Sequence, residues 1–245
     1  MINLFKSKKK LNLKHLPSMG LFYPDNFEIY IKKCNKSYIE EYKTQLETDS
    51  LTELVKTITR VIIDNSSFNK KYCYRDIMSI DLFFIFLEIC KFTTGKELKL
   101  DLKNGETIDM NQDTFDYFND EKVLERYNPE LKCFEINGYK LTPPTTGVEE
   151  DLTDLLSSIS NTKGSEDYEY YSYDFLYVLK DKSSLTVEEI INLIQIFNYD
   201  IDKKESEKLK QAIDQIKSIK KYNLKYKNEL VPISPNINLF EIFDR

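Results

Sequence analysis

Apolar positions in the first part of the chain follow two different periods, which predict a strand followed by helices. From Phe27 to Ile31 apolar and polar residues alternate, as in a strand with one buried face. From Leu51 to Ile62 apolar residues recur every three or four positions, as in an amphipathic helix. Ser50 and Glu53 form a capping box at the start of this helix. A more polar helix is predicted over residues 37–46.

The most apolar stretch, residues 77–90, predicts a buried helix over about residues 74–92. This stretch is 14 residues long and contains Ser79, Asp81 and Glu88. A membrane span needs about 20 predominantly apolar residues, so no membrane-spanning segment is expected here. The side chains predicted to face inward are Ile77, Leu82, Ile85, Phe86 and Ile89.

At residues 93–95 the helical period gives way to alternation, which predicts a small antiparallel β-domain over residues 95–145. Two Asn-Gly pairs, Asn104-Gly105 and Asn137-Gly138, are each flanked by alternating apolar residues. Asn-Gly favours the two positive φ angles of a tight hairpin turn. The sequence therefore predicts two hairpins.

The last third of the chain is predicted to be mainly helical. A polar linker over residues 157–167 precedes apolar helical patterns that start near Phe175 and Thr186. A lysine-rich helix is predicted over residues 203–222, and an extended apolar tail follows from Leu230. The predicted fold class is α+β, divided into a helical portion with an extended arm (1–94), a β-domain (95–150) and a helical portion (151–245).

Composition and charge narrow the functional classes. The 245 residues carry a formal net charge of −6, which disfavours a general nucleic-acid coat. His15 is the single histidine, so zinc sites with two or more histidines are excluded. The four cysteines contain no CxxC pair, and we interpret them as reduced, mostly buried thiols of a cytosolic protein.

Two segments resemble parts of cofactor-binding motifs, but neither has the required residues at the required spacing. Thr94-Gly95-Lys96 resembles the end of a phosphate-binding loop, but Cys90 stands where its first glycine belongs and Glu97 replaces the hydroxyl. Asp200-x-Asp202 opens like a calcium loop but lacks the glycine and the final glutamate. We therefore expect no enzyme, no cofactor, no metal site and no small-molecule substrate.

Two extended ends of the chain are candidates for docking onto a protein partner. Apolar side chains on extended segments often bind a groove or a sheet edge. The alternative is that these side chains fold back onto the core of this chain. The candidate docking residues are Leu16, Pro17, Gly20, Phe22, Tyr23, Leu239, Phe240 and Phe243.

A second functional hypothesis concerns the lysine-rich helix near the carboxy terminus. Its lysines, together with Tyr222 and Tyr226, are residue types that contact phosphates and bases, which makes a nucleic-acid-binding accessory protein the alternative function. Glu205, Glu207 and Asp214 lie among these lysines and favour a solvated helix face instead. Nucleic acid is therefore not the expected partner.

Three short motifs, in this order along the chain, resemble the baseplate hub subunits of T-even-like contractile-tailed bacteriophages. The first is Pro17-Ser18-x-Gly20-x-Phe22-Tyr23-Pro24 before a strand. The second is an apolar helix that ends in Thr94-Gly95-Lys96-Glu97-Leu98. The third is Leu141-Thr142-Pro143-Pro144-Thr145-Thr146-Gly147-Val148-Glu149-Glu150. The apolar ending from Val231 to Phe243 is similar as well.

The resemblance implies a structural or assembly protein of the virion. Members of this family associate with other tail and baseplate proteins, are made in the host cytoplasm and act through protein–protein contacts. This chain departs from the family in one respect. Its relatives carry paired cysteines in the small β-domain, where Cys133 stands alone here. The sequence therefore predicts a metal-free β-domain.

Overall fold

A computed structural model describes part of the chain. The described residues are 8–47, 51–69, 71–96, 124–151, 154 and 203–219, together with the strand segments 99–101, 107–109, 115–116, 223–226 and 229–232. Several predicted features lie outside them: the capping residue Ser50, the Asn104-Gly105 turn, the linker and the helices near Phe175 and Thr186. The apolar ending from residue 233 onward also lies outside.

The first sheet contains three antiparallel strands in the order β1 (Lys8–Lys10), β2 (Ile29–Lys32) and β3 (Ser66–Phe68). Ile29 and Ile31 are fully buried, while Tyr30 and Lys32 point to the opposite face. Alternation along a strand produces this split, so the predicted strand is confirmed from Ile29 onward, while Phe27 and Glu28 precede it.

Three helices form the core of the amino-terminal half: α1 (Lys36–Glu47), α2 (Leu51–Asn65) and α3 (Leu82–Thr94). α2 packs between the other two. The predicted inward residues of α2 are buried at Leu54, Ile58, Val61 and Ile62. Val55, an apolar residue within the same predicted helix, is 47% exposed. Its position, one residue after Leu54, rotates it about 100° away from the core.

The helix predicted over residues 74–92 begins later in the structure. Residues 74–76 and 79–81 form two short 3-10 turns, and α3 starts at Leu82. Backbone groups in this segment pair with a distant part of the chain: Ser79 donates to the carbonyl of Pro144 (3.0 Å), and Thr146 donates to that of Ile77 (2.8 Å). These tertiary hydrogen bonds replace the helical ones that local periodicity predicted.

The predicted β-domain contains strands in several small sheets. β4 (Lys99–Asp101) pairs with β5 (Thr107–Asp109), and β6 (Phe115–Asp116) follows. β7 (Tyr127–Asn128), β8 (Cys133–Ile136) and β9 (Tyr139–Leu141) form an antiparallel sheet. Both predicted strand pairings are present, but the first pairs Asp101 with Thr107, whereas a two-residue turn at Asn104-Gly105 would pair Asp101 with Ile108. At the second turn Asn137 has φ 52° and Gly138 has φ 87°, as Asn-Gly predicts.

The lysine-rich helix is confirmed as α4 (Lys203–Ile219), and the predicted residues 220–222 lie outside the described residues. It packs on β9 and buries Leu209, Ala212, Ile213 and Ile216. Beyond it, β10 (Asn223–Tyr226) and β11 (Glu229–Pro232) form a hairpin that the sequence did not predict. β10 also pairs with β6, which joins the carboxy-terminal part to the middle of the chain. Helices with small antiparallel sheets confirm the α+β class.

Candidate functional site

The amino-terminal motif, residues 16–24, folds into a compact series of turns. Successive backbone hydrogen bonds of the i to i+3 type run from Met19 to Leu16 (2.7 Å) and from Leu21 to Ser18 (3.0 Å). Gly20 has φ +75°, a conformation that favours glycine, and an added Cβ would lie 3.2 Å from the Cβ of Leu13. The motif therefore encodes a defined turn. We call residues 16–24 the amino-terminal turn.

Asp81, the residue that precedes α3, holds the amino-terminal turn in place through hydrogen bonds. Its carboxylate accepts a hydrogen bond from the backbone N–H of Ser18 (2.8 Å) and another from the hydroxyl of Tyr23 (2.7 Å). Asp81 and Ser18 are fully buried, and Tyr23 is 1% exposed. The Tyr23 hydroxyl also accepts from the N–H of Met78 (3.1 Å). A buried carboxylate with several donors is satisfied, which allows it to stay in the core.

Neighbouring aromatic residues of the turn point to different parts of the molecule. Phe22 contacts the rings of Tyr127 (5.9 Å between centroids) and Phe134 (5.7 Å), which belong to the β7–β8–β9 sheet. Tyr23 instead stacks on Phe27 (4.4 Å) and reaches Asp81. The turn therefore packs between the helical core and the small sheet.

The Pro-Thr motif, residues 141–150, packs against the segment just before Asp81. Thr145 forms a β-bridge with Met78, and the Thr146 hydroxyl donates to the carbonyl of Tyr74 (2.7 Å). Residues 146–151 are helical. The amino-terminal turn and the Pro-Thr motif thus converge on residues 74–82.

Arg75 and Tyr74 hold the start of that helical segment at the surface. The Arg75 guanidinium donates to Glu150 (3.1 Å), to Asp151 (2.5 Å) and to the carbonyl of Gly147 (3.1 Å). The Tyr74 hydroxyl also donates to Glu150. The side chains of Arg75 and Glu150 are 43% and 35% exposed. This second contact is therefore an ion-pair cluster open to solvent.

Burial shifts the pKa values of Asp81, Tyr23 and Tyr74. Loss of hydration raises the pKa of Asp81 to about 6, against the lowering effect of the hydrogen bonds from Ser18 and Tyr23. Burial and the neighbouring Asp81 carboxylate raise the pKa of Tyr23 well above its usual value. Partial burial, followed by the hydrogen bond to Glu150, raises the pKa of Tyr74 to about 12. At neutral pH both tyrosines are hydrogen-bond donors.

The structure packs the candidate docking residues of the amino-terminal turn within this chain. Leu16, Pro17, Phe22 and Tyr23 are buried in the core of this chain, and Gly20 is half-buried. They follow the alternative of folding back, because Asp81 and the aromatic rings of the small sheet satisfy them internally. The candidate docking residues Leu239, Phe240 and Phe243 lie outside the described residues.

Asp81 is the residue that sequence reasoning missed. It was interpreted only as a polar interruption of the most apolar stretch. A carboxylate that is buried within an apolar stretch needs hydrogen-bond donors, and the Ser and Tyr of the amino-terminal motif are such donors. An acidic residue in an apolar stretch, together with donors elsewhere in the chain, was the available signal.

The lysine-rich helix α4 presents charges of both signs. Lys204, Lys208 and Lys210 are exposed beside Glu205, Glu207 and Asp214. Lys208 pairs with Glu205 at 3.3 Å, and the Tyr139 hydroxyl also donates to Glu205. This mixture gives no continuous cationic stripe over the described length of the helix, so it does not favour the nucleic-acid hypothesis.

Other candidate sites in the described residues are weak. An open groove of about 390 Å³ is lined by residues 125–130 and Glu135, but Arg126 already donates to Gln215 there (2.7 Å). Within the described ranges no group of three or more His, Cys, Asp or Glu side chains is placed to hold a metal. No disulfide joins the four cysteines, of which only Cys73 is exposed. Among the helices described, none has the length and apolarity to cross a membrane.

Comparison of the chain with protein-family models, with curated proteins and with solved structures finds no match.

Proposed function

We propose that this chain is a structural or assembly component of the baseplate hub of a contractile phage tail. In this role it acts through contacts with other tail and baseplate proteins rather than through catalysis. It would be made in the host cytoplasm and incorporated at the baseplate. The proposal keeps the three-part arrangement expected from the sequence: a helical portion with its arm (1–94), a β-domain (95–150) and a helical portion (151–245).

The observation that carries the proposal is the meeting of the resemblance motifs at one place in the fold. The amino-terminal turn contacts Asp81, the Pro-Thr motif contacts residues 74–79, and the second motif begins with the helix that follows them. Short motifs that match by chance have no reason to pack on one another. Their convergence supports a likeness at the level of a folded unit.

The internal role of these motifs also bears on how the protein contacts partners. Because Phe22 and Tyr23 are committed to the core, partner contacts must use other surfaces. The apolar ending with Leu239, Phe240 and Phe243 stays a docking candidate. A deletion of residues 233–245 is therefore the informative truncation, since a deletion of residues 1–24 would remove core side chains.

Mass spectrometry of gradient-purified particles and of isolated tail-assembly intermediates tests the proposal. We expect peptides of this chain in one or both fractions, in a constant ratio to known baseplate proteins. The deletion of residues 233–245 is expected to lower that ratio, and the full-length chain expressed at the same level is the control. Absence of the chain from both fractions would refute the proposed role.

A further inference from the structure

The outer face of the β1–β2–β3 sheet is open to solvent. Because Ile29 and Ile31 point into the core, Tyr30 and Lys32 point outward. Residues directly opposite in neighbouring strands share a face, and the register pairs Lys8 with Lys32 and Lys10 with Tyr30. The outward side chains of the three strands are Lys8, Lys10, Tyr30, Lys32 and Ser67.

Positive charge on this face is only partly neutralised. The ammonium group of Lys10 pairs with Glu28, which also accepts from the Tyr30 hydroxyl (2.8 Å). Lys8 lies directly opposite Lys32 in the neighbouring strand. Its ammonium group donates to the neutral hydroxyl of Ser67 (3.1 Å). Like charges placed opposite each other in a sheet are destabilising. The sheet therefore keeps an unfavourable pair that a bound anion would relieve.

Three lysines lie on this face, and two of them have no acidic partner. Lys9, between Lys8 and Lys10, points to the opposite face, where it pairs with Glu88 of α3 (2.8 Å). Among the described residues, the ion pairs within 4.0 Å involve neither Lys8 nor Lys32. We call Lys8, Lys10 and Lys32 the lysine cluster.

We propose that the outer face of the β1–β2–β3 sheet is a docking surface for a short acidic segment of a protein partner, which the lysine cluster binds by charge complementarity. The proposal rests on the proposed function only in taking the partner to be a protein. Tyr30, half-buried between the lysines, supplies contact area at low cost in side-chain entropy.

The extent of the cluster favours an acidic segment over nucleic acid. β1 contains three residues and spans about 10 Å, whereas duplex DNA carries a charge about every 1.7 Å along its axis. A long polyanion would therefore extend past the cluster onto a chain whose net charge is −6. A few carboxylates are enough to neutralise Lys8 and Lys32.

The lysines limit which segments can bind at this face. Lysines on an exposed edge strand discourage pairing with arbitrary strands. An acidic segment is attracted to these lysines instead, so the surface selects binding segments by their charge.

Fluorescence anisotropy with the full chain tests this surface. The probe is a fluorescein-labelled oligoglutamate peptide, with an oligoglutamine peptide of equal length and a single-stranded DNA oligonucleotide as comparison probes. The test variant is K8Q/K32Q. The matched control is K204Q/K210Q, which removes the same charge from exposed positions on α4.

We expect the oligoglutamate peptide to bind the natural chain, and its affinity to fall as NaCl is raised from about 50 mM to about 300 mM. K8Q/K32Q should weaken this binding by about tenfold, and K204Q/K210Q by less than about twofold. Thermal melting of each variant shows that its fold is retained. A charge reversal, K8E/K32E, should abolish the binding.

Three results would overturn the proposal: no oligoglutamate binding at low salt, equal weakening in the test and control variants, or tighter binding of the oligonucleotide at the same lysines. The last result would make this face a nucleic-acid surface. Mass spectrometry of purified particles tests the baseplate role independently of peptide binding. Failure of one proposal is thus distinguishable from failure of the other.

Discussion

Two carboxylate contacts attach distant segments to residues 74–82, and they differ in their exposure to water. Asp81 holds the amino-terminal turn from inside the core, where the carboxylate is fully buried. Glu150 holds the Pro-Thr motif from the surface, through Arg75 and Tyr74. The same chemical group thus performs the same task in two dielectric environments.

The comparison shows that a buried contact and an exposed contact contribute differently to the free energy of unfolding. Exposed ion pairs contribute about 0–1 kcal/mol because water and salt screen them. A buried carboxylate contributes little net energy when intact, but its removal leaves donors without partners, at about 1–3 kcal/mol each. The buried contact is therefore the more sensitive to substitution, and the exposed one tolerates change.

The largest expected effect comes from removing each carboxylate in turn. Asp81→Ala leaves the Ser18 N–H and the Tyr23 hydroxyl without their acceptor, and we expect it to lower the free energy of unfolding by about 3 kcal/mol. Glu150→Ala, the exposed counterpart, should cost less than about 1 kcal/mol. Urea unfolding followed by circular dichroism measures both. Equal costs would show that burial does not separate the two contacts.

A smaller effect is expected when one hydroxyl is removed at each contact. Tyr23→Phe keeps the stacking on Phe27 but deprives Asp81 of a donor and Met78 of an acceptor, so we expect a cost of about 2 kcal/mol. Tyr74→Phe removes the matching hydroxyl at Glu150 and should cost about 0.5 kcal/mol. The same unfolding measurement compares them, and a larger cost for Tyr74→Phe would reverse the comparison.

The smallest effect is a pH dependence that only the buried contact should produce. The pKa of Asp81 is raised to about 6 in the folded chain, so the folded state binds a proton more readily than the unfolded state. The stabilisation from this proton is complete below the unfolded pKa, near 4, and is lost as the pH rises through 6. Between pH 5 and pH 7 the free energy of unfolding should fall by about 1 kcal/mol.

Asp81→Asn is the variant that isolates this effect, since the amide does not titrate. Urea midpoints measured at several pH values between 5 and 7 should decline for the natural chain. Once the pH dependence that both chains share is subtracted, the midpoints of Asp81→Asn should stay level. Glu150→Gln is the matched control and should keep the decline. A decline that persists in Asp81→Asn would assign the pH dependence to another group.

Local patterns predicted the elements whose side chains follow a single periodicity. Helix α2 and strand β2 were both found from the spacing of apolar residues, and the second hairpin was found from Asn137-Gly138. In each case the information lies within a few neighbouring residues. The α+β class follows from such elements and was predictable for the same reason.

The junction at residues 74–82 was not predictable in this way. Ile77 and Ile80 continue the helical spacing, but the hydrogen bonds that prevent a helix there come from Pro144 and Thr146, more than 60 residues later. Asp81 likewise acquires its role from Ser18 and Tyr23. Contacts between segments so far apart leave no local period, so only the folded chain reveals them.

The position of Phe22 has a consequence for how the protein is made. Its ring packs on Tyr127 and Phe134, which lie more than 100 residues further along the chain. At a synthesis rate of about 5–20 residues per second, the amino-terminal turn emerges from the ribosome about 5–20 s before those rings exist. During that interval Phe22 is an exposed apolar group on a nascent chain, and its partner sheet closes the fold only after residue 134 has emerged.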